Sequence, residues 1–161
     1  MKPIVRQLTK EDYEPYKKLF DEAYNEYLDM LRLKNPQHDH KELQDRRRVT
    51  RARFNFYLDA GSSFVAEKDC GVVGYVATQT SFYMRGIDKV LWIEYIVTKK
   101  EHRRQGVATT LLMKLKDHAK QHRINSIYAT INPDNIASIK LHQKTGFIVK
   151  HWKTASLQTN D

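Results

Sequence analysis

The chain has 161 residues, with 28 Lys and Arg against 19 Asp and Glu, and a single cysteine, Cys70. That length suits one domain, 1–161, with a proper core, and a lone cysteine excludes an internal disulfide. No apolar run reaches membrane-spanning length and no signal-peptide pattern opens the chain, so a cytoplasmic protein without a membrane partner is expected. The positive balance fits nucleic acid, an anionic membrane, an acidic substrate or an anionic cofactor, and equally a plain solvated surface.

Ile4 to Leu8 reads as a short strand behind Pro3. Thr9 offers an N-cap, with Asp12 three residues on as a capping-box partner. The helix that follows sets Tyr13, Tyr16, Phe20, Ala23, Tyr24, Tyr27 and Leu31 on one stripe, a core face from which Tyr24 or Tyr27 could reach a substrate. Asn35-Pro36-Gln37 breaks it. A second helix is expected from about Asp39 to Ala60, with Arg47, Arg48 and Arg51 on one side and Val49, Ala52, Phe56 and Ala60 on another. Its run Arg46 to Arg53 is a solvated basic face, or a contact for an acidic acceptor or nucleic acid. Gly61 is its C′ residue.

Ser63 to Glu67 and Val72 to Thr80 read as strands joined by a turn near Asp69-Cys70-Gly71. Gly71 and Gly74 are no dinucleotide fingerprint, because no helix follows them. Ser81 to Lys89, which includes Tyr83, connects to a strand over Val90 to Val97. Ser126 to Ile131 is a fifth strand, parallel to the fourth because a helix separates them. Asn135 caps a last helix, Gly146 ends it, and Phe147 to Lys153 is a sixth strand. The fold class is α/β with a mixed sheet.

The most informative stretch is Leu91 to Leu115: a buried strand, a basic loop, and a helix with Ala108, Leu111, Leu112, Leu115 and Ala119 on one face. A helix start presents unpaired N–H groups and positive potential. Small residues at Gly106 and Ala108 admit a ligand to that backbone, and Arg103 and Arg104 add charge, which suits a pyrophosphate. The segment Arg103-x-x-Gly106-x-Ala108 resembles the Gln/Arg-x-x-Gly-x-Gly/Ala signature of the GCN5-related N-acetyltransferases. Asn135-Ile-Ala-Ser-Ile-Lys-Leu-His142-Gln-Lys-Thr-Gly146-Phe147 is similar to a second segment of that family, at the expected distance.

The resemblance implies a GNAT fold: a central mixed sheet of six to seven strands with four helices, and parallel strands 4 and 5 splayed around acetyl-CoA. The chain stops too soon for a normal seventh strand. An open edge strand would invite a homodimer. It further implies that Ile96 and Val97 meet the pantetheine arm and thioester, with the Val97 amide polarising the carbonyl. Arg103, Arg104, Gln105, Gly106, Val107 and Ala108 would hold the pyrophosphate, largely through backbone amides. Asn132 and Asn135 would meet the pantetheine near the sulfur. Tyr24, Tyr27 and the loop at Tyr83 would border the acceptor.

Glu94 interrupts an apolar strand, where a carboxylate is costly unless paired or functional. In similar family members it accepts the amine's proton. His142 stands where the family mostly has a tyrosine that protonates the departing thiolate. Imidazolium can donate a proton, though burial opposes its charge. No His, Cys and carboxylate set has metal-ligand spacing, and His118 with His122 four residues apart is weak support for a metal, so none is expected. The expected function is acetyl-CoA-dependent N-acetyl transfer to a primary amine of a protein, peptide or small molecule, by direct attack in a ternary complex. A CoA-binding module without catalysis and a nucleic-acid-binding protein are the alternatives.

Overall fold

The computed structural model describes residues 2–34, 49–69, 71–83 and 87–150. In chain order these form β1 (Ile4–Gln7), α1 (Tyr13–Lys34), α2 (Arg51–Asp59), β2 (Phe64–Lys68), β3 (Gly71–Tyr83), β4 (Ile87–Thr98), α3 (Val107–Gln121), β5 (Ser126–Ala129) and α4 (Ile136–Lys144). The chain divides into two compact units, Met1–Thr130 and Ile131–Asp161.

In the first unit the strands lie in the order β1-β2-β3-β4-β5. The first three pairings are antiparallel, and β4 with β5 is parallel. The β3–β4 hairpin runs further than its sequence implies. Its strands continue to Tyr83 and from Ile87, taking up most of the expected connection Ser81 to Lys89.

Local chemistry starts and stops the helices. The Thr9 N–H donates to Asp12 Oδ2 at 2.8 Å, and a 3-10 turn over Lys10–Asp12 leads into α1. Pro15 falls in the first turn of α1, where a missing N–H costs nothing. Arg6 ties this entry to the sheet. Its guanidinium meets both Asp12 oxygens at 2.7 Å and Glu67 Oε1 at 2.6 Å.

The second helix differs from expectation. Thr50 is in extended conformation and its hydroxyl accepts from Arg53 N at 3.2 Å, so α2 begins at Arg51. Residues 39–48, including Arg46, Arg47 and Arg48, lie outside the described residues, as does Cys70. The buried face of α2 is Phe54 and Tyr57, whereas Phe56 is 52% exposed. Of the expected face, Val49 is buried and Ala60 is partly so, but Ala52 and Phe56 point outward. Gly61, at φ +66°, closes α2 as the C′ residue.

Two apolar layers cover the sheet. On one face Tyr16, Leu19 and Phe20 of α1 and Phe54 and Tyr57 of α2 pack with Val65, Tyr75 and Ala77. Leu19 and Leu28 of α1 are buried too, which widens the aromatic stripe read from the sequence. The helix α3 packs on β2, β3 and β4. It buries Val107, Leu111, Leu112, Leu115 and Ala119, with Val107 taking the place expected of Ala108.

In the second unit, Asn135 Oδ1 caps α4 by accepting from Ser138 N at 3.0 Å. Gly146 N and Phe147 N donate to the carbonyls of Gln143 and His142 at 3.0 and 2.9 Å. These are the two bonds of a Schellman motif, with Gly146 left-handed at φ +90°. The motif turns the chain back on the helix end. The expected sixth strand, Phe147 to Lys153, is absent over 147–150, and the rest of it lies outside the described residues. The sheet thus has five strands among the described residues rather than six or seven.

The backbone is crowded at Gly74. A Cβ there would lie 2.8 Å from Val97 O and 2.9 Å from Val107 Cγ1. Gly74→Ala is therefore expected to lower stability by about 1–3 kcal/mol, the scale of overpacking. Urea unfolding of wild type and variant measures it.

Candidate active site

An extra residue in β4 shapes the site. Thr78 pairs with Ile93 and Ala77 with Tyr95, so Glu94 is the inserted residue of a β-bulge. On the other side, β4 pairs with β5 only from Val90 to Ile93. From Glu94 to Thr98, β4 stays bonded to β3 and has no β5 partner. Backbone groups on that side are left without a ladder, which an interior does not tolerate unless a ligand or water takes them.

The ladder's alternation identifies those groups. Lys99 N donates to Val73 O at 2.8 Å. In an antiparallel pair this makes Gly74/Thr98 a non-bonded pair and Tyr75/Val97 a bonded one. Val97 therefore spends its N–H on Tyr75, and the backbones of Ile96 and Thr98 face the opening. On this geometry the Ile96 N–H, and not that of Val97, faces the opening.

Glu94 is half-buried at the bulge and accepts a short hydrogen bond from Gln79 Nε2. Aromatic rings surround its neighbour Tyr95, which meets Phe20 edge-on at 5.1 Å and Tyr57 at 6.4 Å. Phe20 stacks on Tyr24 at 5.7 Å, and Tyr27 follows at 6.4 Å. Tyr24 and Tyr27 thus belong to a line of rings that leads from α1 to the residue beside Glu94. The Tyr57 hydroxyl is pushed well above its ordinary range, first by burial, then by its neighbours Tyr95 and Glu94. Tyr83 ends β3 opposite Ile87.

The loop before α3 is exposed from Arg103 to Gly106. Gly106 has φ +82°, and a Cβ there would meet nothing within 4 Å. Arg104 is also left-handed, at φ +62°. The first helical bond runs from Thr110 N to Gly106 O at 2.9 Å. The N–H groups of Val107, Ala108 and Thr109 therefore have no intrahelical acceptor and add to the positive end of the helix. An anion could approach over Gly106 unobstructed, so the backbone fits a pyrophosphate.

The side chains of the loop act differently from its backbone. Arg103 Nε donates to Thr98 O at 3.1 Å, and its Nη2 to Glu26 Oε2 at 2.6 Å. Lys100 Nζ is 3.8 Å from Glu26 Oε1. Gln105 accepts from Lys68 and donates to Glu101 O, both at 2.8 Å. Arg103 is a strut joining α1, the end of β4 and the loop. Both partners of its ion pair are about 40% exposed, so the pair adds little stability and matters for position.

In the second unit, Asn132 Oδ1 accepts from Asp134 N at 2.9 Å, and Asn135 Oδ1 is used by the cap. His142 is 2% exposed. Its Nδ1 lies 2.8 Å from Ser138 O, and a carbonyl only accepts, so Nδ1 carries the proton. Nε2 then bears a lone pair, and it is buried without a hydrogen-bond partner. Burial lowers the imidazole's pKa against the opposing pull of the Ser138 carbonyl.

His118 and His122 face each other at 4.2 Å between ring centroids. Among the described residues no group of three or more His, Cys, Asp or Glu could hold a metal. Of the arginines on α2, Arg51 lies 3.8 Å over the Tyr13 ring, whereas Arg53 has a buried nitrogen without a hydrogen-bond partner among the described residues.

The sequence model of the Acetyltransferase (GNAT) family matches residues 11–147. None of the curated proteins compared with the chain matches it. Among solved structures, an AAC(6')-Iy bound to the bisubstrate analogue CoA-S-monomethyl-acetylneamine is similar, with TM-score 0.70 and 21% identity over 99% of this chain and 100% of that one. An aminoglycoside acetyltransferase, meta-AAC0020, from an uncultured soil metagenomic sample in complex with trehalose has TM-score 0.71 and 10% identity, over 99% and 97%. Arabidopsis thaliana Naa50 with the bisubstrate analogue CoA-Ac-MVNAL has TM-score 0.67 and 16% identity, over 94% and 86%. At such identities these likenesses show the fold.

The two perturbed histidines set a pH dependence. Burial holds both His118 and His142 below the ordinary 6.5 in the folded state. The unfolded chain then binds protons more readily, so their contribution is full above about pH 6.5 and is lost as pH falls through the folded values. Urea unfolding should show lower stability at about pH 5.5 than at pH 7.5, with a shallower dependence in His142→Gln.

Proposed function

Since the chain belongs to the Acetyltransferase (GNAT) family, we propose that it transfers an acetyl group from acetyl-CoA to a primary amine by direct attack in a ternary complex. The observation that carries this reading is the parting of β4 from β5 at the Glu94 bulge, one strand end away from an anion-ready helix start. Acetyl-CoA, as co-substrate, supplies the activated acyl group.

The chain's own residues have distinct tasks in this proposal. The N–H groups of Val107, Ala108 and Thr109 receive the pyrophosphate, with Arg104 adding charge. The Ile96 N–H is offered to the thioester carbonyl oxygen, where negative charge grows on attack. Glu94 takes the proton of the ammonium, directly or through water, because only the neutral amine is a nucleophile. Gln79 orients that carboxylate. Following the family resemblance, Asn132 and Asn135 meet the pantetheine, and His142 supplies the departing thiolate's proton. With Nδ1–H bound to Ser138 O, His142 can do so only after its Nε2 has taken up a proton. The acceptor amine belongs to a protein, peptide or small molecule, bordered by Tyr24 and Tyr27.

Gly106→Glu should abolish acetyl-CoA binding in calorimetry while the protein stays folded, since it sets bulk and negative charge against the phosphates. Unchanged affinity would sink the pyrophosphate assignment. Glu94→Gln should lower turnover by roughly 10²–10⁴, with partial recovery at high pH. Turnover equal to wild type across the pH range would leave Glu94 a structural residue. Binding of acetyl-CoA with no thiol release for any amine would indicate a CoA-binding module instead.

A further inference from the structure

We propose that the acceptor is an amine with a free carboxylate a few atoms from its nitrogen, as in an amino acid, and that Arg53 receives this carboxylate while Glu94 faces the ammonium. The proposal rests on the reading of Glu94 as the group that takes the amine's proton.

Arg53 and Tyr57 are one turn apart on α2 and so share a face. A guanidinium is always charged and offers five N–H donors in a rigid fork matched to a carboxylate. Arg53 Nη1 is buried and has no hydrogen-bond partner among the described residues. A buried donor left unmade is costly, and such groups in a native fold generally answer to a ligand or a strain.

The surroundings say which ligand. Tyr57 feels the negative charge of Glu94 and the positive charge of Arg53. The Arg53 charge also reaches the Tyr16 hydroxyl. A cation one turn before Tyr57 on α2 and an anion next to Tyr95, whose ring is 6.4 Å from that of Tyr57, thus lie near one buried ring. They do not neutralise each other: Glu94 is bonded to Gln79, and no ion pair joins Arg53 to a carboxylate among the described residues. The walls are aromatic, with Tyr57 at 6.4 Å from both Tyr16 and Tyr95. Opposite charges held apart across an apolar wall match a zwitterion, whose ammonium and carboxylate meet one group each. A polyamine would satisfy Glu94 but set positive charge beside Arg53.

The bond changes balance without a further reagent. The amine nitrogen bonds to the acetyl carbon, the carbon–sulfur bond breaks, and its electron pair leaves on sulfur. On becoming the amide the ammonium nitrogen gives up two protons: one balances the thiolate, and the other passes through Glu94 to solvent. The carboxylate is untouched and serves only in recognition.

Free-thiol release tests this on the full chain. The probes are amino acids, the same amino acids as C-terminal amides, spermidine and an aminoglycoside. The amide has the more easily deprotonated amine, so intrinsic reactivity favours it. The expected result is nonetheless a kcat/KM about 10- to 100-fold higher for the acid than for its amide, the scale of losing a charge-assisted pair. Arg53→Gln should bring that ratio toward one by raising KM for the acid, and Arg53→Lys should keep part of it. Acetyl-CoA calorimetry checks that each variant is folded. Equal rates for acids and amides in the wild type, or a ratio unmoved in a folded Arg53→Gln, would overturn the proposal. No thiol release from any probe, with acetyl-CoA bound, would overturn the transfer reading itself and this inference with it.

Discussion

One surplus residue governs this architecture. An antiparallel hairpin with matched strands would keep β4 straight between β3 and β5. Glu94 breaks the match: Thr78 faces Ile93, Ala77 faces Tyr95, and the strand bends at the residue between. Pairing with β5 ends at Ile93, immediately before the bend. The bend therefore turns a continuous sheet into one with an opening, and it leaves the Ile96 and Thr98 backbones without a strand partner on that side. The same residue carries a carboxylate to the rim of the opening.

The loop from Lys99 to Gly106 works within that constraint. The Thr98 carbonyl, turned outward by the ladder's alternation, is taken by Arg103, whose guanidinium also binds Glu26 of α1. Arg103 is thus occupied in holding the loop to β4 and α1, and the unpaired donors are the backbone N–H groups of α3's first turn. Backbone N–H groups fixed by a helix need no reorganisation to receive a phosphate, whereas a long arginine must be ordered first. The crowding at Gly74 belongs to the same arrangement. Only a residue without a Cβ lets β3 lie this close to the Val97 carbonyl and to Val107, where α3 begins.

Much of this was legible in the sequence because it depends on local chemistry. Thr9 with Asp12, Asn135 and Gly146 all act as the terminators their residue types suggest. The parallel fifth strand follows from an intervening helix. What the sequence hid depends on register. A one-residue insertion at Glu94 decides which amide faces the opening, and residue composition does not encode that parity, so Val97 was favoured over Ile96. The helix start at Arg51 is hidden because the helical periodicity runs on across Thr50, a good N-cap residue. A strand from Phe147, after the Gly146 turn, rests on β-forming residues alone, and 147–150 form none. Gln79 carried a usable signal, as a polar residue late in an apolar strand that must pair with the strand holding Glu94. Arg53 carried none beyond its neighbours in a basic run.

The account's central claim is that β4's opening and α3's first turn form one cofactor site, read through specific backbone amides. Residue-resolved amide hydrogen exchange with and without saturating acetyl-CoA tests this most directly. Exchange should slow at Ile96 and at Val107, Ala108 and Thr109. The Val97 amide, already bonded to β3, should change little. Binding of acetyl-CoA that leaves those amides unchanged, or that protects Val97 in place of Ile96, would contradict the account.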